Sequence, residues 1–197
     1  MNQDLTKHAG EVLGNLSANK YEVSDSGIHF PSMGAMASGV YTHDVNGLDE
    51  RVDSNLLVDE GLLYMLTVSL YNGTKLPTWY LALYSANYTP TAGLTAASFP
   101  ATATEITSLS EGYSETTRPT WVASAPAANL VDNMASKAAF TIVTASTLTV
   151  NGAALSSDAT RGAVTGKLMS ATKFAAARTL YNTDVFNLAY RVQLTST

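Results

Sequence analysis

The residues best equipped for chemistry lie at 109–121, "LSEGYSETTRPTW", where Glu111 and Glu115 stand four apart beside Arg118, Tyr113 and Trp121. Glycoside hydrolysis needs two carboxylates flanking a bond, roughly 5–10 Å apart, one with a raised pKa. Gly112 and Pro119 interrupt any regular geometry, so the spacing does not fix the separation of the two acids. A structural role accounts for the same residues and is the stronger reading. Arg118 pairs with Glu111 or Glu115, Pro119 biases Arg118 toward an extended backbone, and Tyr113 and Trp121 anchor a long loop to the core.

Three further stretches carry partial signatures. "HDVNGLDERVD" (43–53) gathers His43, Asp44, Asp49, Glu50 and Asp53, oxygen ligands suited to a hard cation, but glycine falls at the wrong place for an EF-hand loop. It reads as a solvated turn with Arg51 balancing its neighbours, so no metal is expected. "GAVTGKL" (162–168) is one residue short of a phosphate loop between its glycines and has Leu168 where a hydroxyl should hold magnesium. It reads as a hairpin turn. His8, His29 and His43 are the only histidines, no G-x-S-x-G elbow is present, and there is no cysteine, so neither a catalytic triad nor a thiolate site is supported. The strip "WYLALYSANY" (79–88) would stack against sugars if exposed; more often such a strand fills a core with Trp79 and presents tyrosines, here Tyr80 and Tyr84, at an interface.

Composition narrows the classes further. Charged residues make up only 14% of the 197, well below the usual quarter, while 46% are hydrophobic. A core is affordable, and the sparsely charged surface suits a protein covered by neighbours. Net charge is −5 with no cluster of Lys or Arg, which argues against nucleic-acid binding. The N-terminal residues lack a basic head before an apolar run, so no secretory signal is expected, and no apolar run reaches membrane-spanning length. No cofactor is expected.

Residues 1–20 space Leu5, Val12, Leu13 and Leu16 as a short amphipathic helix, or as an arm that orders on a partner. Residues 21–54 read as extended and irregular. Within them "PSMGAMASG" (31–39) suggests an adaptable contact surface, with Met33, Met36, Val40 and Tyr41 as contact residues. Residues 55–72 are the best helix, capped by Ser54 or Asn55, with Leu62, Leu66 and Leu70 in a stripe and Gly61 as its flaw. From residue 76 the period becomes two. Strands are predicted at 78–85, 137–144, 146–155, 167–175 and 184–196, with a tight turn at Asn151-Gly152. The expected fold is mainly β: an antiparallel β-sandwich, jelly-roll-like, with one principal helix and an irregular N-terminal arm. The expected division is an arm over 1–50 and a helix-plus-sandwich domain over 51–197.

Four stretches together resemble a family of small virion structural proteins of tailed bacteriophages: "NGLDERVDSNLLVDEGLLYML" (46–66), "WYLALYS" (79–85), "EGYSETTRPTW" (111–121) and "RGAVTGKLMSATKFAAARTLYNTDVFNLAYRVQLT" (161–195). Asn182-Thr183-Asp184 stands where the family usually has a Gly-Asp turn. The resemblance spans about residues 40–196 and implies a virion component without catalytic residues. As a capsid decoration, or cement, protein it would partner the major capsid protein and copies of itself, as dimer or trimer. A tail, head–tail adaptor or fibre-base component is the alternative. A glycan-binding module using Glu111, Glu115 and the tyrosines is a third reading.

Overall fold

The computed structural model of the chain describes residues 22–24, 27–29 and 35–196. The predicted helix at 1–20 and Met33 lie outside the described residues. Two compact units are present: Met1–Met36 with Thr195–Thr197, and Ala37–Leu194. The first contains an antiparallel ribbon of β1 (Glu22–Ser24) and β2 (Gly27–His29).

The second unit is an antiparallel β-sandwich with one principal helix, as its alternating segments predict. One sheet is six-stranded. It runs β4 (Leu48–Ser54), β3 (Ala35–Val45), β12 (Val185–Ser196), β9 (Ala138–Val143), β7 (Gly112–Tyr113), with β8 (Leu130–Asp132) also on β12. The other runs β5 (Leu56–Leu57), β11 (Leu168–Leu180), β10 (Leu148–Ser156), β6 (Tyr80–Tyr84). Alternation decides what lies between them. Phe140 and Ile142 of β9 and Phe186, Leu188 and Tyr190 of β12 meet Leu81, Leu83, Leu155 and Phe174 in one buried cluster. Each such side chain contributes roughly 1.5–3 kcal/mol by leaving water. The four-stranded sheet is covered on its other face too. Ala82, Tyr84, Ala154 and Ala171 pack there against Leu94, Ala96 and Phe99, from the loop after β6 and its short helix α2 (Phe99–Ala103).

Two expectations about the strands need correction. Residues 37–50, assigned to an arm, are sandwich strands: β3 and β4 form a hairpin turning at Asn46-Gly47, both with positive φ (55° and 77°) as a tight primed turn requires. Asn151-Gly152, the predicted turn, lies inside β10 instead, where the register with β11 slips between Val150 and Gly152 as a bulge. A Cβ at Gly152 would collide with the Thr172 carbonyl and the Tyr84 ring, so close approach selects glycine there. The turn joining β10 to β11 is the 157–167 loop, which carries the predicted hairpin turn "GAVTGK" (162–167), and Leu168 opens β11.

The principal helix, α1 (Asp59–Leu70), starts four residues later than predicted, because Leu56–Leu57 pair with β11 as β5. Val58 precedes it with no side-chain cap; Asp59 and Glu60 sit in its first turn. Glu60 accepts hydrogen bonds from the amides of Ala96 and Leu168, both 2.8 Å, tying the helix to the loop and to β11. The predicted leucine stripe of Leu62, Leu66 and Leu70 is exposed, and the one buried residue of the helix is Gly61. A Cβ there would strike the Met169 carbonyl, so the residue read as a flaw is what lets the helix lie on β11.

Candidate functional site

The polar side chains singled out in sequence converge on the two long edges of the sandwich. At one edge the crossover 104–121 runs along β6 and reaches β9. Its start pairs with β6 through Ser85 N to Thr104 O (3.0 Å) and Ile106 N to Leu83 O (2.9 Å). Its end does so through Leu81 N to Pro119 O and Trp121 N to Trp79 O, both 2.8 Å. Between these, Gly112 and Tyr113 pair with Val143 and Ile142 of β9 in the opposite sheet. One segment thus clasps both sheets.

Arg118 fixes that clasp. Its guanidinium is buried and meets Glu105 side-on, Nε to Oε1 at 2.7 Å and a terminal nitrogen to Oε2 at 2.6 Å. Ser156 Oγ, Asp158 O and Ala163 O accept its other protons at 3.2, 2.9 and 3.5 Å. All five N–H donors of the fork are therefore occupied. The expected partner, Glu111 or Glu115, is corrected to Glu105. Glu111 accepts from Thr144 Oγ1 (2.6 Å) and the amide of Ala145 (3.1 Å), contacts that hold its carboxyl below the usual range. Glu115 accepts from the amide of Thr141 at 3.1 Å. Both acids are spent on the β9 backbone and its flank, and Glu111, held below the usual range, lacks the raised pKa that a general acid needs.

Tyr113 and Trp121 pack the loop against the body of the sandwich. Tyr113 is fully buried, edge-on to Phe140 at 5.0 Å, with the Arg161 guanidinium 4.4 Å over its ring. Burial pushes its phenol pKa up. Trp121 donates its indole N–H to Tyr190 O at 3.0 Å.

The opposite edge is closed by side chains. His43 of β3 is completely buried, stacked on Phe174 with ring centres 4.0 Å apart. Its Nε2 lies 2.8 Å from Asp53 Oδ2, and its Nδ1 accepts from Arg178 Nε at 3.0 Å. Because Arg178 can only donate, His43 is the neutral tautomer with its proton on Nε2. Arg178 also reaches the Asp49 carboxylate and carbonyl, both 2.6 Å, and the His43 carbonyl at 3.2 Å; Asp53 accepts from Ala175 N at 2.6 Å. β3 and β4 are thereby latched to β11 of the other sheet. The acids of 43–53, weighed as cation ligands, are engaged by the chain itself: Asp44 holds Lys137 (2.8 Å) and Asn187 (2.7 Å), and Glu50 holds Lys137 (2.6 Å). The signal in sequence for this inward position is the period-two spacing of His43 with Tyr41 and Val45, which both pack on the core.

The proposed contact residues separate. Met36 is exposed and Val40 half-buried. Tyr41 is corrected to a core residue, fully buried, its hydroxyl 2.8 Å from Ser170 Oγ and its ring 4.6 Å from that of Tyr190. Tyr84 is likewise corrected: it is fully buried and donates to Thr172 O at 2.8 Å, whereas Tyr80 keeps partial exposure. A groove of about 360 Å³ lies beside Ser38, Val40, Asn55 and Arg191, but the Arg191 guanidinium is tied to Asp132 at 2.9–3.0 Å. Such a groove offers polar contact rather than a nucleophile or an acid–base pair.

The arrangement defines a β-sandwich whose ionisable groups lock its two edges. Comparison with protein-family models and with curated proteins finds no match for this chain.

Proposed function

We propose that the chain is a structural component of a tailed-bacteriophage virion, acting as a capsid decoration protein. It binds the lattice of the major capsid protein and further copies of itself, with no cofactor, nucleic acid or membrane involved. It stabilises the head by mass action, binding the assembled shell in preference to dispersed subunits. One observation carries the reading: the groups that could do chemistry, Glu105, Glu111, Glu115, Arg118, His43 and Asp53, are all hydrogen-bonded within the fold at its edges. Sheets latched to each other at both edges suit a body that must hold one shape among many identical neighbours. The low charge and the resemblance of residues 40–196 to virion structural proteins support the same reading.

Quantitative mass spectrometry of purified particles tests it. Copies on the order of hundreds per particle, matching a lattice that multiplies weak contacts, are expected. A few copies that fractionate with isolated tails would favour a tail component instead. Absence from the particle overturns the virion reading.

A further inference from the structure

Helix α1 presents one apolar face to solvent, while Tyr64 and Met65 pack on the core. Leu63 is 65% exposed, Leu66 57% and Leu70 84%, with Leu62 and Tyr71 beside them. Such a patch on a soluble body marks an interaction surface. The spacing of three then four residues is the narrow seam by which one helix packs against another. The sheet cannot take this seam, because α1 rests on β11 through Gly61 on its other side.

The charges indicate the partner. Between Glu60 and Lys75 the sequence has no charged residue, so two copies of this face meet without repulsion. The first turn is acidic, the last turn has no basic residue, and exposed Lys75 follows shortly after. Antiparallel pairing sets Asp59 of one copy near Lys75 of the other and opposes the two helix dipoles. Parallel pairing would set Asp59 against Asp59. We infer that α1 pairs antiparallel with α1 of a second copy, about a two-fold axis near the middle of the seam. A single three-turn helix offers less than the roughly 800 Å² per partner of a standard interface. The pair is therefore concentration-dependent, and becomes persistent where copies are held side by side.

This deepens the self-association in the proposed function, and its test is separate. Sedimentation of the purified full chain up to about 100 µM should show a monomer–dimer equilibrium, a range expected for a contact of this size. Leu66→Asp, at an exposed position, should abolish the dimer with an unchanged circular dichroism spectrum and melting temperature, and Leu66→Met should retain it. A monomer throughout the range, or a dimer that survives Leu66→Asp, overturns the inference. A chain that dimerises through α1 yet is absent from particles would sink the virion reading alone.

Discussion

Arg118 and Glu105, thirteen residues apart, face each other as a bidentate pair, with nitrogens 2.7 and 2.6 Å from the two carboxylate oxygens and both side chains buried. Removing one member leaves the other charged and unsolvated, which costs about 3–5 kcal/mol. Arg118→Ala and Glu105→Gln should each lower the melting temperature by about 10 °C for a domain of this size, measured by calorimetry. Arg118→Met combined with Glu105→Leu should recover much of the loss. Equal stability in the single variants would remove the pair from its structural role.

His43 makes stability pH-dependent. Burial lowers its pKa below the ordinary 6.5 and outweighs the opposing hydrogen bond to Asp53. The folded chain then binds fewer protons than the unfolded chain below pH 6.5. The stability contributed by neutral His43 is full above 6.5 and is lost as pH falls toward the depressed value. The slope reaches at most about 1.4 kcal/mol per pH unit for one proton. Chemical denaturation between pH 7 and 5 should show that slope, and His43→Gln should flatten it. An unaltered slope in the variant would assign the acid sensitivity to other groups.

Two Asn-Gly pairs should respond differently to alanine. Gly47 has φ 77° and open space around it, so Gly47→Ala costs the left-handed strain alone, roughly 1–2 kcal/mol. Gly152→Ala drives a methyl into the Thr172 carbonyl and the Tyr84 ring, and should exceed that cost or prevent folding. Urea midpoints of the two variants compare them directly. The reverse order would contradict the bulge.

Glu111 and Glu115 should behave as backbone clamps. Glu111→Gln and Glu115→Gln keep an acceptor oxygen for the same donors and should each leave the melting temperature nearly unchanged. Neither should change binding on a glycan array, and a glycan signal lost in either variant would revive the carbohydrate reading.

The sandwich was legible because period-two alternation specifies a buried face without knowledge of the partner strand, as Phe186, Leu188 and Tyr190 illustrate. Pairings across the fold were not. Arg118 has Glu115 nearer in sequence, yet Glu115 is drawn to the Thr141 amide and Glu105 arrives through the crossover. The leucine spacing in α1 revealed a common face but not which side the sheet would take; Gly61 settled that through backbone contact with Met169. An Asn-Gly pair likewise marks a place where a side chain is unwelcome, whether because φ must be positive, as at Gly47, or because a neighbour fills the space, as at Gly152.

The clasp at residues 104–121 has a kinetic consequence. Arg118 finds its acceptors on Glu105, Ser156, Asp158 and Ala163, up to 45 residues away, so its cradle exists only once the β10–β11 loop has met the β6 edge. Contacts completed after the folding barrier act mainly on the rate of unfolding. The clasp should therefore govern the lifetime of the folded state more than the speed of reaching it: Arg118→Ala should quicken unfolding in stopped-flow denaturant jumps and leave refolding nearly as fast. A chain built this way keeps its shape by being slow to open.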